Sequence, residues 1–245
     1  FTFKGKKFRW NKQTSGPVGR LSTESLKDVF DIFSKEIGTS TNANKIKKLF
    51  DEAYNKGYSL ADATRLLVNE LFGEYGLVIL DGDSRDLKKE FSPYIQDELL
   101  HQKSNKAVLK TIQQLKDYSI QVNPREINLF YMKDTLRERI ILENETYKIN
   151  NTNIRFSKTE ILSELENQPE NFSPNVIMRP LYQEVILPNL CYIGGGGEIS
   201  YWLELYSFFN EAKVTFPLLL LRNSALLATE KQTKKIDKLG LSWKE

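Results

Sequence analysis

The sequence has a single cysteine and a single histidine in 245 residues. One cysteine excludes an internal disulfide and fits a reducing compartment, hence the cytoplasm. One histidine and one cysteine cannot furnish a zinc set or a Cys–His pair, so no metal site is expected. Charge is also scarce in one sense: 35 Lys plus Arg against 32 Asp plus Glu leaves +3. That balance, with no basic run interleaved with aromatics, argues against nucleic acid. No apolar run approaches the roughly 18 residues a membrane span needs. The stretches 66–80 and 216–221 are interrupted or short. The chain opens on Phe1, with no signal-peptide pattern, so it is expected to be part of a longer reading frame.

What is present is an apolar fraction of 40% with 27% charged residues, enough to bury a core. Residues 1–12 alternate and predict a hairpin or extended arm. Three helices follow, over about 23–37 with Ser22 as N-cap and Gly38 as stop, 42–56, and 59–73 opened by Ser59 and Asp62. "GLVILDGD" (76–83) reads as a buried parallel strand, and 84–118 as helical. "EINLFYMKD" and "RERIILENETYKI" read as antiparallel strands. Ser157 with Glu160 forms a capping box for a helix to about Asn167. Pro174 and Pro180 can each sit in the first turn of a helix, and Pro180 predicts an extended Arg179. "LCYI" is a short strand, "GGGG" a loop, 198–212 an amphipathic helix, "FPLLLL" a buried strand, and the stretch from Thr229 to Gly240 a helix. The class is therefore α/β, divided into a connecting arm and helical segment (1–75) and a core (76–245) with an antiparallel insertion at about 120–150.

The run Gly194, Gly195, Gly196, Gly197 matches neither a dinucleotide fingerprint, since position 199 is Ile, nor a P-loop, since no Gly-Lys-Ser/Thr follows. Its strand–Gly–helix setting leaves two readings. The glycines let a ligand approach a helix N-terminus, or they form a turn that Glu198 caps. Three expected strand ends carry polar tips: Asp81 with Asp83, the glycine run with Glu198, and Arg222-Asn223-Ser224. Ligands of open α/β sheets bind at such ends; turn formation is the plainer reading for the two aspartates. Arg179 is suited to clamp a carboxylate, or to pair with Glu184 one turn on. His101 reads as solvated and Cys191 as a small buried residue.

The block "NFSPNVIMRPLYQEVILPNLCYIGGGGEISYWLEL", followed by "PLLLLRNSALL", resembles the cysteine ligase family of bacillithiol biosynthesis. "LFGEYGLVILDGD" and "INLFYMKDTLRERI" share the resemblance, which spans essentially the whole chain. It implies part of a Rossmann-like core with a connecting insertion, a coiled coil beyond Glu245, and a possible homodimer. The implied activity joins cysteine to the amine of glucosaminyl-malate, with ATP or another nucleotide as the activating cofactor. On that basis Glu184 and Glu198 are candidate catalytic bases. Asn175, Arg179, Gln183, Gly194 to Gly197, Arg222 and Ser224 are candidate substrate-binding residues. Family members often have proline where Gly196 stands, and another small residue at Cys191, so no catalytic thiol is expected there. Members are about twice this length, so the fragment alone is expected to be inactive. The competing reading is a non-catalytic scaffold or dimerisation module of an α/β nucleotide- or sugar-binding protein.

Overall fold

A computed structural model describes residues 1–241. The last positions of the expected core, 242–245, lie outside the described residues.

The arm is a hairpin of β1 (Thr2–Phe3) and β2 (Lys6–Lys7), turned by Lys4 and Gly5, both at positive φ. Helices α1 (Lys27–Ile37), α2 (Thr41–Tyr54) and α3 (Leu60–Phe72) follow, but the first begins later than the expected position 23: a 3-10 turn (Glu24–Leu26) precedes α1, and Leu26, not Ser22, stands at its N-cap. Ser40 and Ser59 each accept a first-turn N–H, and Gly38 ends α1 at φ 83°. Their apolar faces close on a small aromatic core, in which Phe30 stacks on Phe50 at 4.7 Å and Phe33 meets Phe8 edge-on.

The main body begins with α4 (Arg85–His101) and α5 (Lys103–Gln114). The expected single helix over 84–118 is broken at Gln102, which adopts a left-handed conformation at φ 52°. Buried Glu98 explains the break, because its carboxylate accepts from Ser104 N, Ser104 Oγ and Asn128 N. It thereby satisfies an orphan donor at the start of α5.

Strands β3 (Leu129–Lys133), β4 (Leu136–Glu143), β5 (Thr146–Ile149) and β6 (Arg155–Phe156) precede α6 (Lys158–Asn167), which carries the expected Ser157–Glu160 capping box. β7 (Phe172–Pro174) then returns to the sheet, giving the antiparallel order β6-β5-β4-β3-β7. The antiparallel region thus extends to Pro174. Pro174 itself pairs with Leu129 at the sheet edge instead of starting a helix. Phe91, Ile95 and Leu99 of α4 and Ile161 of α6 join Leu129, Tyr131, Ile140, Ile149 and Phe172 in one core.

Helix α7 (Arg179–Ile186) leads to β8 (Cys191–Gly194), α8 (Gly196–Glu204), α9 (Tyr206–Ala212) and β9 (Leu218–Leu221), with β8 and β9 paired in parallel. The expected 198–212 helix is thus two helices meeting at Leu205. Helix α10 (Glu230–Lys238), capped by Thr229 and Gln232, follows as expected.

Two strand expectations fail on burial. Residues 77–81 form no strand and pair with none among the described residues, Gly76 before them is left-handed at φ 78°, and Leu77 and Val78 are exposed. Among the described residues β9 pairs with β8 alone, and Leu218 is 75% exposed, so it is not the buried strand its leucines suggest. Cys191 is likewise exposed, because it faces away from α8 and α9 on the uncovered side of β8.

Candidate functional site

The β8–α8/α9–β9 unit builds a compact polar corner. Register pairs Gly194 with Leu221, and Arg222 N donates to Gly194 O at 2.9 Å. Arg222 therefore leaves the ladder directly beside Gly195. Its guanidinium packs so close that a Cβ on Gly195 would lie 3.0 Å from Nη2. The expected four-residue loop is a one-residue turn. Gly194 ends the strand, Gly195 is the N-cap at φ −71°, and Gly196 and Gly197 form the first turn of α8.

The four glycines are not equivalent. A Cβ on Gly194 would meet the Tyr192 ring at 2.7 Å, so the fold requires glycine there. A Cβ on Gly196 or Gly197 would meet nothing within 4 Å. Neither has positive φ. Nothing in the packing calls for glycine at these two positions, although each weakens the helix relative to alanine. Their backbone N–H groups have no acceptor among the described residues.

Glu198 carries out the capping read from the sequence: its Oε2 accepts from Gly195 N at 2.8 Å and stands 3.7 Å from Arg222 Nη1. The Gly195 N–H holds its carboxyl below the usual range against the opposing effect of burial, and Arg222, Tyr192 and Arg179 add to the lowering. Arg179 thus lies within electrostatic reach of this corner. Its Nη2 contacts the Tyr201 hydroxyl of α8 at 3.3 Å, and no ion pair with Glu184 forms.

Arg179 is not extended; it is the first residue of α7. Asn175 sets that start, since its Oδ1 accepts from Ile177 N at 2.8 Å and its backbone O from Arg179 N at 2.8 Å. The Asn175 amide is further tied to Asn128. Proline then fits the second position of α7 without losing a helical bond. Gln183 lies one turn beyond Arg179, and both line a cavity of about 780 Å³. Glu184 points elsewhere: it is buried and accepts from Asn189 N at 2.8 Å, Asn189 Nδ2 at 3.0 Å and Gln183 Nε2 at 3.1 Å. Ser224 lies in an exposed stretch after β9, with no contact to the corner.

The structure therefore brings Gly194 to Gly197, Glu198, Arg222 and Arg179 together, places Gln183 on the adjoining cavity, and keeps Asn175, Glu184 and Ser224 apart. Sequence reading missed Tyr192, which lies beside Glu198, Tyr201, which receives Arg179, and the ion cluster at the cavity wall. There Asp83 binds Arg20 Nε and Lys88 Nζ, each at 2.5 Å. Burial would raise the Asp83 carboxyl, but those two cations outweigh it and hold it low. Burial pulls the Lys88 ammonium down despite Asp83. Asp81 is a turn former, its Oδ1 accepting from Asp83 N at 2.9 Å. His101 is exposed beside Asp97, as expected.

Residues 1–223 match the family described as bacillithiol biosynthesis BshC, N-terminal Rossmann-like domain. Among curated proteins, the chain is 68% identical over its full length to a Flavobacterium johnsoniae protein named "Putative cysteine ligase BshC", of which it covers 46%. Proteins of the same name from Flavobacterium psychrophilum and Cytophaga hutchinsonii are 64% and 40% identical, over 100% and 96% of the chain and 46% and 43% of their own lengths. The chain spans about half the length of the curated relatives it matches. No described helix is long and apolar enough to cross a membrane. With the parallel β8–α8/α9–β9 unit as its Rossmann-like element, the chain belongs to the family of the BshC N-terminal Rossmann-like domain.

Proposed function

We propose that the chain is part of a longer cytoplasmic ligase that joins cysteine to the amine of glucosaminyl-malate, and that the corner at the start of α8 receives the anionic groups of that reaction. The observation that carries this reading is the pair Gly196 and Gly197. They are open, carry unpaired N–H groups, and are not required by the fold. A helix N-terminus with free N–H groups attracts a carboxylate or phosphate, and the adjacent Arg222 adds a full positive charge.

Amide formation needs an activated cysteine carboxylate and a neutral amine. A nucleoside triphosphate, when bound, would supply the phosphoryl or adenylyl group for that activation. The donor set at Gly196, Gly197 and Arg222 fits such a phosphate as well as it fits a malate carboxylate. Arg179 and Arg222 are assigned to the malate carboxylates, since each guanidinium matches a carboxylate as a two-bond fork. Glu198, with its proton affinity held down, is suited to hold the substrate ammonium and to orient Arg222. It is a weak base in that state. Glu184, occupied on both oxygens, is assigned to holding the 187–189 turn.

The test uses the longer protein that carries this chain, assayed for thiol product from cysteine and glucosaminyl-malate, with and without ATP. Arg222→Ala should raise the KM for glucosaminyl-malate by roughly 10- to 150-fold, the worth of a hydrogen bond to a charged group. The KM for cysteine should change far less. An unaltered glucosaminyl-malate KM removes Arg222 from the site. Failure to bind either substrate would favour the scaffold reading.

A further inference from the structure

The cavity adjoins the glycine corner through Arg179 but has a chemistry of its own. Its walls are largely apolar: Pro17 and Val18 from the arm, Val78 and Leu80 from the unpaired run, Met132 from β3 and Ile186 from α7. Its charged lining is three cations, Lys88, Arg137 and Arg179, against one carboxylate, Asp83. Asp83 is already committed to Lys88 and Arg20. Among the described residues neither Arg137 nor Arg179 has a carboxylate within 4.0 Å. Arg137 lies over the Phe130 ring, its Cζ 3.8 Å from the centroid, a contact that holds the guanidinium in place. Partial burial lowers its pKa, with no anion to offset it.

A cavity of this size with apolar walls and two uncompensated guanidinium groups suits one kind of ligand. We propose that it is a second binding site, for a small organic anion with an apolar body, whose acid group is taken by Arg137 and Arg179 and whose body lies on Val78, Leu80 and Met132. The acid is a carboxylate or a phosphate monoester, since both match a guanidinium fork.

The experiment is calorimetric titration of this chain, and of the longer protein that carries it, with phenylsuccinate and phenyl phosphate. Succinate and inorganic phosphate serve as the same acids without an apolar body. At least one aryl acid should bind at least about 10-fold more tightly than its bare counterpart, and the tighter of the two identifies the acid group. Arg137→Gln, at an exposed position, should weaken it about 10-fold, equivalent to about 1.4 kcal/mol. Val18→Trp, also exposed, should block the mouth while leaving every charge in place. Arg222→Ala should not alter binding of the aryl acid, so this result and the glucosaminyl-malate result stand or fall separately. Equal binding of bare and aryl acids, or an Arg137→Gln variant that binds like wild type, overturns the proposal. So does a longer protein that binds neither aryl acid while the chain does, since another segment would then occupy the cavity.

Discussion

The antiparallel body and the parallel β8–β9 pair are built from similarly apolar sequence, yet they end in opposite states. In the body, Phe91, Ile95, Ile149 and Phe172 are fully buried between α4, α6 and the five-stranded sheet. In the parallel pair only one face is covered: Tyr192 stacks on Trp202 at 4.1 Å and Leu219 packs against the core. On the other face Ile193 is 61% and Leu218 75% exposed. Parallel strands are normally covered on both faces. The leucines of β9 are therefore suited to a layer that the described residues do not supply. The unpaired run 77–80 presents the same mismatch. Apolar pattern reports the environment a segment is suited to, which here is larger than the chain itself.

The largest effect that separates the two regions is truncation of the closed core. Phe91→Ala should destabilise the chain by about 3–5 kcal/mol in urea unfolding. Ile193→Ser, on the open face, should stay within about 0.5 kcal/mol. A large destabilisation by Ile193→Ser that grows with protein concentration would mean that a second copy covers this face in solution.

Next in size is the ion cluster that joins the arm to the body. Asp83→Asn leaves Lys88, whose side chain is 3% exposed, without its counter-ion. A loss of about 3 kcal/mol is expected near neutral pH. The pH dependence has a definite sign. The folded carboxyl of Asp83 is held below its usual value, so its contribution is complete above about pH 3.9 and is lost as pH falls through the folded value. Wild type and Asp83→Asn should therefore converge in stability under acid. Lys88, also lowered in the fold, acts in the same direction at high pH: stability should rise again as the ammonium deprotonates in the fold before it does in the unfolded chain. Thermal melts from acid to alkaline pH read both limbs.

Local chemistry was legible in the sequence; tertiary coverage was not. The Ser157–Glu160 box, the stop at Gly38, the second and third arm helices and the Glu198 cap all depend on residues a few positions apart, and each is found as read. The break at Gln102 was hidden because its cause, Glu98, receives donors from Ser104 and from distant Asn128. Arg222 beside the glycine run is readable from the two strand ends, whereas the approach of Arg179 is not, since it comes from the start of α7. The cavity could not, since Val18, Asp83, Arg137 and Tyr182 meet only through the fold. Cys191 was misplaced for the same reason as β9: a small apolar residue in a strand reads as interior even when its side of the sheet is bare.

The smallest effect is the one that sharpens the comparison most at the glycine corner. Gly195 has ordinary backbone angles, and its neighbour is the mobile end of Arg222, so a side chain there displaces the guanidinium more than it strains the fold. Gly196 and Gly197 have open space and helical geometry. Alanine at either should therefore raise stability slightly, by about 0.5 kcal/mol, through a less flexible unfolded chain and better helix propensity. If the corner is only a turn, that gain is the whole effect, and substrate binding in the longer protein stays level or improves. If an anion approaches these N–H groups, the added methyl stands in its path. A variant that melts higher yet binds glucosaminyl-malate or ATP several-fold more weakly assigns the two glycines to ligand approach. A variant that melts higher and binds as well as wild type assigns them to the turn alone.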